Sequence, residues 1–388
     1  MRKCASRLLD LPPYPFAQWR GHIDRARAEG LDVIRLDIGS PDMPPADDVI
    51  ETLRRSAQRP EAHGYPGYRG TPELREAIAS YYSRRFGVAL DPQTQVVPLI
   101  GSKEGIVNMS LACLDPNDLV LVPDPGYAPY ARGAILAGGT ATPFPLLAEN
   151  DFLPDLSAIV DEVADRAVMM WLNYPNNPTG AVADLDFFAR AVAFARERDL
   201  LLCHDAPYCD VTYGDTVAPS LLQVEGAIDV AVEFNSLSKL ANMAGWRVGM
   251  AVGNPEALSA LMRVKSNVDS GIFGPLQEAA ARALSLPPQW IEARNAIYDE
   301  RMAIVVEALE ATGMKVVRPR ATLYAWARVP QGEESTPFAR ALLMEEGVAV
   351  APGPFFGPAG EGYVRIAVTA STERVQEAMD RLRRFVKA

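Results

Sequence analysis

Three clusters of polar residues with chemically useful side chains each follow a run of apolar residues. The first is Asn-Tyr-Pro-Asn-Asn-Pro-Thr-Gly at 173–180, the second is His-Asp-Ala-Pro-Tyr at 204–208, and the third is Ser-Leu-Ser-Lys at 236–239, with Gly-Trp-Arg close behind at 245–247. A lysine can act as a nucleophile, an aspartate can hold a cation, and serines with an arginine can bind an anion. Each cluster alone has a structural interpretation as a turn, a helix cap or a surface segment.

The elements that must position these clusters alternate between short apolar runs and amphipathic stretches. Strands are predicted at 96–100, 119–122, 168–172, 200–203 and 230–234. A helical pattern over about 102–114 follows the first strand, and another follows the second. Short apolar strands separated by helices predict an α/β fold with a largely parallel sheet and helices on both faces. Because ligands bind at the carboxyl ends of strands in such sheets, the three clusters are candidates for one site.

The last hundred residues have a different pattern. Runs at 316–317, 323–327 and 363–368 predict a small sheet. A closing helix is predicted after Ser371, its N-cap, from apolar residues at helical spacing, namely Val375, Ala378, Met379, Leu382 and Val386. We therefore predict a large α/β domain at 46–288, and a smaller α+β domain formed by an N-terminal arm at 1–45 together with 289–388.

Composition excludes several classes of protein. Hydrophobic residues make up 48% of the 388 residues and charged residues 22%, as in a folded globular chain. There are 38 Lys and Arg against 49 Asp and Glu, a formal net charge of −11, which argues against nucleic acid or an anionic membrane as partner. No apolar run reaches the roughly 18 residues of a membrane span. Four scattered cysteines predict no disulfides and a cytoplasmic location, and the Cys-His pair at 203–204 with Cys209 does not have zinc-site spacing, so no metal is expected.

Taken together, the motifs resemble the class I/II, fold-type-I pyridoxal-phosphate-dependent aminotransferases, from about residue 12 to the C-terminus. The residues that carry the resemblance are Gly101-Ser102-Lys103, Asn177-Pro178-Thr179-Gly180, Asp205-x-x-Tyr208, Ser236-x-Ser238-Lys239, Arg247 and Arg365. The resemblance implies a large domain with a mostly parallel seven-stranded sheet, pyridoxal 5'-phosphate as cofactor, amino-acid and 2-oxo-acid substrates, and a homodimer with shared active sites.

The resemblance assigns the groups around the cofactor ring. Lys239 matches the lysine that binds the cofactor aldehyde and later moves the substrate Cα proton. Desolvation and neighbouring cations should lower the pKa of its amine. Asp205 matches the carboxylate that keeps the pyridine nitrogen protonated, so that the ring accepts electrons. Tyr208 and Asn177 match the groups that hydrogen-bond the phenolic oxygen, and Tyr127 matches the aromatic residue that stacks on the ring, with a core tyrosine as the alternative.

The resemblance also assigns the phosphate site. Ser102 and Lys103 begin a helix after a strand, so their backbone N–H groups point toward an anion. Ser236, Ser238 and Arg247 match the remaining phosphate ligands of the family. An arginine in this position can bind two phosphate oxygens at once.

Three further residues match positions that contact the substrate or the second subunit. Arg365 matches the arginine that binds the substrate α-carboxylate, together with Asn177. Gly39 resembles the glycine whose backbone approaches the same carboxylate, with a plain turn as the alternative. Tyr65 resembles the tyrosine that reaches the phosphate of the neighbouring subunit.

Residues 100–106, 173–178 and 264–271 look like the bacterial LL-diaminopimelate aminotransferase branch. The same scaffold serves aspartate, alanine, methionine and aromatic amino acids, so these stay open as alternatives. Arg69 is a departure, because the branch tends to carry Glu there. Glu would suit a distal ammonium on the substrate, whereas Arg69 would suit a distal carboxylate or point to solvent. A lyase using the same cofactor would share every cofactor residue, and a non-catalytic regulator domain would need a DNA-binding module before the fold.

Overall fold

The computed structural model describes residues 4–9 and 11–387. Its helices are α1 Pro15–Ala28, α2 Asp47–Ala57, α3 Pro72–Phe86, α4 Ser102–Cys113, α5 Pro129–Ala137, α6 Asp161–Ala164, α7 Leu185–Glu197, α8 Leu237–Leu240, α9 Pro255–Val268, α10 Gly274–Ala283, α11 Pro288–Ala311, α12 Ser335–Glu346 and α13 Thr372–Lys387. Its strands are β1 Ile34–Arg35, β2 Val96–Leu99, β3 Leu119–Asp124, β4 Thr140–Pro145, β5 Ala167–Asn173, β6 Leu201–Asp205, β7 Ala231–Ser236, β8 Gly249–Gly253, β9 Tyr324–Arg328, β10 Val348–Ala349, β11 Ala351–Pro352 and β12 Tyr363–Ala367.

A seven-stranded sheet in the order β2-β8-β7-β6-β5-β3-β4 forms the centre of the protein. Only β8 runs against its neighbours, so the predicted mostly parallel sheet is confirmed. Pro98 lies on the edge strand β2, where a missing N–H is tolerated. The opposite edge strand, β4, escaped prediction because Pro143 and Pro145 interrupt its pattern.

Parallel pairing brings the first two polar clusters into register. Asn173 at the end of β5 lies directly opposite Asp205 at the end of β6. Ser236 ends β7, the next strand in the sheet, and α8 with the candidate lysine begins at the following residue. The third cluster therefore meets the other two at the carboxyl edge of the sheet.

A separate apolar core lies around the second, three-stranded sheet, β11-β12-β9. It is built from α1, α11, α12, α13 and these strands, joined by Tyr208, Val211 and Tyr213. The cores around the large sheet use residues between Val49 and Leu284. This distribution follows the domain division at 46 and 288, which stays a prediction.

Two details of the C-terminal half were tested by the structure. The predicted run at 316–317 is not a strand: Val316 forms one isolated bridge to Ala327, and Val317 is 82% exposed. The closing helix begins as predicted, because the Ser371 hydroxyl accepts a hydrogen bond from the backbone N–H of Arg374. Among the described residues, no helix is both long and apolar enough to cross a membrane.

Candidate active site

One cavity of about 330 Å³ opens at the carboxyl edge of the large sheet, against the three-stranded sheet. Twelve of the thirteen residues singled out from the sequence line it: Gly39, Ser102, Lys103, Tyr127, Asn177, Asp205, Tyr208, Ser236, Ser238, Lys239, Arg247 and Arg365. They come from eight segments of the chain, at strand ends and in loops, spread over more than 300 positions. Tyr65 does not line the cavity.

Lys239 lies on the short helix α8, which follows β7 directly. Its Nζ donates a hydrogen bond to the backbone carbonyl of Gly39. Burial, together with the nearby cations Arg365 and Arg247, lowers the pKa of this amine from 10.5 to about 7. Much of the amine is therefore uncharged at neutral pH, as a nucleophile or proton carrier requires.

Asp205 ends β6 with a carboxylate that is only half satisfied. Its Oδ2 accepts a hydrogen bond of 2.8 Å from the Tyr130 hydroxyl, whereas Oδ1 is buried with no hydrogen-bond partner in the described chain. Burial raises the pKa of this carboxyl to about 6, opposed by the Tyr130 hydrogen bond and by His204. A buried acceptor without a donor fits a protonated ring nitrogen, so the donor set agrees with pyridoxal phosphate at this point.

The N-terminus of α4 and Arg247 form a cradle of positive potential. Gly101 precedes α4 with φ +74°, and a Cβ there would lie 2.2 Å from Arg247 Nη2, so only glycine lets the guanidinium approach this turn. Arg247 Nη1 donates to the Ser238 hydroxyl at 3.4 Å. The Ser236 hydroxyl accepts from the Ser238 N–H and caps α8. N–H groups, hydroxyls and a guanidinium around one space fit a phosphate.

Arg365 on β12 is 3% exposed and has no acidic partner among the described residues. Its Nη1 donates to Asn177 Oδ1 and its Nη2 to the Asp37 carbonyl, both at 2.7 Å, while its Nε is buried without a partner. A buried cation held only by neutral groups is costly unless an anion joins it. The site therefore fits the carboxylate of a small ligand.

Tyr208 and Tyr127 line the same cavity as hydroxyl-bearing aromatic rings. Burial raises the pKa of the Tyr208 phenol well above its usual value, so this hydroxyl keeps its proton and can donate it. The ring of Tyr127 packs edge-on against Tyr130 at 5.7 Å. It also packs against the core of the large sheet, and burial likewise raises the pKa of its phenol.

Tyr65 and Arg69 lie on the surface away from the cavity. Tyr65 is 91% exposed, and its loop packs on a neighbouring loop in which a Cβ at Gly271 would lie 2.3 Å from the Gly67 carbonyl. Arg69 is exposed and donates to the Gln93 carbonyl of its own chain. Within one chain, the structure therefore brings neither side chain to the site.

Sequence reasoning missed several residues of the cavity. Tyr130, in the first turn of α5, does not line the cavity itself but donates its hydroxyl to the Asp205 carboxylate, a contact between residues 75 positions apart. Tyr14 and Phe16, at the start of α1, line the cavity, and no pattern in the sequence indicates that they do. The hydroxyl of Tyr324 on β9 lies 2.7 Å from that of Tyr208, a contact between residues 116 positions apart that only the folded chain creates.

Comparisons with known proteins agree with this geometry. The family model of aminotransferase class I and II matches residues 31–382. The chain is 51% identical to an LL-diaminopimelate aminotransferase of Desulforudis audaxviator over 379 residues, 98% of this chain and 97% of that one. Substrate-bound BacF of Bacillus subtilis superposes with a TM-score of 0.94 at 38% identity, covering 99% and 98% of the two chains. A probable N-succinyldiaminopimelate aminotransferase of Thermus thermophilus superposes with a TM-score of 0.90 at 39% identity, covering 95% and 99%.

Proposed function

We propose that this chain, which belongs to the aminotransferase class I and II family, exchanges the amino group of LL-diaminopimelate with 2-oxoglutarate. Membership of the family makes it a pyridoxal-phosphate-dependent aminotransferase. The names of its relatives suggest the substrate. The single observation that carries the activity is the buried cation of Arg365, which has no anionic partner among the described residues. It shares one cavity with the Lys239 amine and with the Asp205 carboxylate, whose Oδ1 has no hydrogen-bond partner there.

Each end of the cofactor has a matching group in the cavity. Asp205 Oδ1 would hold the ring nitrogen, and Tyr208 and Asn177 would hydrogen-bond the phenolic oxygen. The phosphate would lie among Ser102 and Lys103 N–H, Ser236, Ser238 and Arg247, with Tyr127 on the ring face. When bound, pyridoxal phosphate supplies an aldehyde that takes up the amino group and a ring that accepts electrons from the Cα–H bond.

The protein's own part is to hold the substrate and to move one proton. Arg365 binds the α-carboxylate through its guanidinium, beside Asn177. This binding orients the Cα–H bond toward Lys239. The Lys239 amine takes up that proton, and in the second half of the reaction it returns a proton to the Cα of the new amino acid formed from the 2-oxo acid. A pKa of about 7 suits both steps, because neither protonation state is strongly disfavoured at neutral pH.

A second unpaired cation supports a substrate with two carboxylates. Lys103 lines the cavity with its Nζ 4.5 Å from the Tyr14 ring centre, and no described carboxylate forms an ion pair with it. Diaminopimelate, glutamate and aspartate all carry a distal carboxylate that Lys103 could bind. Arg69 is directed toward Gln93, which favours its interpretation as a solvated residue. Aspartate, alanine, methionine and aromatic amino acids remain the alternative donors.

The same proposal includes a cytoplasmic homodimer with shared active sites. Exposed apolar side chains lie on two adjoining segments: Tyr65 is 91% exposed, Val268 at the end of α9 is 62% exposed, and Phe273 is 40% exposed. The rings of His63 and Phe273 connect the two segments, with centres 5.9 Å apart. A second copy docked on this face would bury them and bring Tyr65 to the phosphate site of its partner. The mass of the protein in solution, by light scattering, tests the dimer.

A screen of amino donors against 2-oxo acceptors tests the activity and the substrate together. Diaminopimelate with 2-oxoglutarate should give the highest kcat/KM, with glutamate formed in equal amounts, and Lys239→Ala should abolish turnover while the protein stays folded. A higher value for aspartate, alanine, methionine or an aromatic donor would replace diaminopimelate. Product without transferred nitrogen in the acceptor would instead indicate a lyase.

Two matched variants test the distal carboxylate site. Lys103→Met should lower kcat/KM for glutamate and aspartate by about 10-fold relative to alanine, the scale of one charge-assisted hydrogen bond. Arg69→Met, which removes an exposed cation outside the cavity, should leave the ratio unchanged. The opposite pattern would assign the distal carboxylate to Arg69.

A further inference from the structure

Tyr324 is a buried tyrosine at the junction of the cofactor side and the substrate side of the cavity. It begins β9 and is 3% exposed. Its hydroxyl oxygen lies 2.7 Å from that of Tyr208, and its ring centre lies 4.0 Å from the guanidinium carbon of Arg365. One side chain therefore touches two of the groups that the activity depends on.

The hydroxyl pair contains one more proton than its shared hydrogen bond uses. In the described chain neither hydroxyl has another hydrogen-bond partner, so one O–H remains available to a third acceptor. If Tyr324 donates to Tyr208, the Tyr208 proton is directed to the cofactor's phenolic oxygen. Donation into the Tyr208 oxygen also strengthens that second bond, because hydrogen bonds in a chain polarise one another.

The ring of Tyr324 contacts the guanidinium of Arg365 more closely than any other ring. Phe356 and Phe16 lie farther away, with ring centres 4.6 and 5.6 Å from the same carbon. The electron-rich face of an aromatic ring attracts a cation, most strongly where water is excluded. The hydrogen bonds of Arg365 to Asn177 and Asp37 hold its nitrogens, and the Tyr324 ring holds its plane.

The backbone holds Tyr324 in this position from both sides. Thr322 has φ +76°, a conformation rare for a β-branched residue, and its N–H donates to the Val211 carbonyl at 2.8 Å, three residues after Tyr208. The Thr322 hydroxyl accepts from the Tyr324 N–H. Gly39 closes the other side, where a Cβ would lie 1.9 Å from the Tyr324 hydroxyl oxygen. The Thr322 segment and Gly39 thus confine Tyr324 from two sides, with its hydroxyl against that of Tyr208.

We infer that Tyr324 is a positioning residue for transamination, which acts through its hydroxyl on Tyr208 and through its ring on Arg365. The inference rests on the roles proposed above for those two residues. It separates into two parts that two substitutions distinguish. Tyr324→Phe removes the hydroxyl and keeps the ring, and Tyr324→Leu removes both.

The hydroxyl part is tested by titrating the absorbance of the cofactor-loaded enzyme with pH, which requires no turnover. Tyr208→Phe provides the benchmark, because losing a donor to the phenolic oxygen should raise the pH midpoint of the absorbance change. Tyr324→Phe should shift the midpoint in the same direction by about 0.3–0.7 pH units, at most the equivalent of one neutral hydrogen bond. The double variant should match Tyr208→Phe alone, because Tyr324 acts only through Tyr208.

The ring part is tested by binding of 2-oxoglutarate to the pyridoxal form of the enzyme, with which a 2-oxo acid cannot exchange nitrogen. Tyr324→Phe should keep the Kd within about 2-fold, and Tyr324→Leu should raise it by about 5–30-fold, the range of a desolvated cation–π contact. Tyr363 provides a matched control on the same small sheet, since its ring lies 4.9 Å from the Arg328 guanidinium and outside the cavity. Tyr363→Phe and Tyr363→Leu should change neither the midpoint nor the Kd.

Each remaining result counts against a definite statement. A shift with Tyr208→Phe but none with Tyr324→Phe overturns the hydroxyl part and leaves the proposed function intact. An equal Kd for the Phe and Leu variants overturns the ring part. No shift with Tyr208→Phe refutes the role proposed for Tyr208, and the hydroxyl part fails with it. Shifts as large in the Tyr363 variants would reduce Tyr324 to a residue of general structural importance.

Discussion

Replacing Lys239 by methionine should stabilise the cofactor-free protein, and the gain should depend on pH in a defined way. The folded chain holds this amine at a pKa of about 7, whereas the unfolded chain returns it to its ordinary value of 10.5. Between these two pH values the unfolded chain binds a proton that the folded chain does not, so the lysine opposes folding. Methionine has a similar length and no charge, so the substitution removes this free-energy cost of folding.

The size of the effect follows from the two pKa values. Each pH unit below 10.5 adds about 1.4 kcal/mol to the free-energy cost that Lys239 imposes on folding. This cost is about 3 kcal/mol at pH 8 and levels off near 5 kcal/mol below pH 7. Above pH 10.5 the amine is neutral in the folded and in the unfolded chain, and the cost vanishes. The variant's advantage in free energy of unfolding should therefore shrink steadily as the pH rises from 7 to 10.

Urea unfolding of the cofactor-free wild type and variant at pH 7, 8, 9 and 10, at one protein concentration, measures this difference. Lys315→Met is the matched control, because Lys315 is exposed and its replacement removes no buried amine. Its difference from wild type should not change with pH. A difference for Lys239→Met that is equally flat would refute the argument, since altered packing alone does not vary with pH.

Three further predictions concern the cofactor and the substrate. Asp205→Asn should slow removal of the Cα proton with the cofactor still bound, because a neutral amide does not stabilise a protonated ring nitrogen. Single-turnover kinetics with a Cα-deuterated donor measure this rate, and an unchanged rate would contradict the role of Asp205. Arg365→Ala should weaken amino-acid binding by about 2–5 kcal/mol while affinity for the cofactor barely moves, and unchanged KM values would assign the carboxylate to another cation. Gly101→Ala should lower cofactor affinity at least about 10-fold, because the new Cβ would displace Arg247 and the backbone at this positive φ would be strained. Equilibrium dialysis against pyridoxal phosphate measures the affinity, and normal binding by the variant would contradict the prediction.

Much of the site could be predicted because its residues follow regular elements. Asp205 and Ser236 directly end strands whose apolar runs are evident in the sequence, and parallel pairing requires neighbouring strand ends to meet at one edge. Lys239 follows within three residues, so its position depends on local geometry alone. The family resemblance added the roles of these residues, since side-chain type and order along the chain survive in the sequence itself.

Only the tertiary structure decided the contacts between segments that lie far apart in the chain. Nothing local indicates that Arg365 lies against Asn177 or that Tyr324 shares a hydrogen bond with Tyr208, because each pair joins the small sheet to loops of the large one. The glycine at Gly39 is explained only by the hydroxyl that packs against it. The sequence by itself determined five strands of the large sheet, the closing helix and the chemical groups at the strand ends, because these depend on neighbouring residues. The distances, the burial and the shifted pKa values depend on which distant groups exclude water from one another, and only the folded chain decides that.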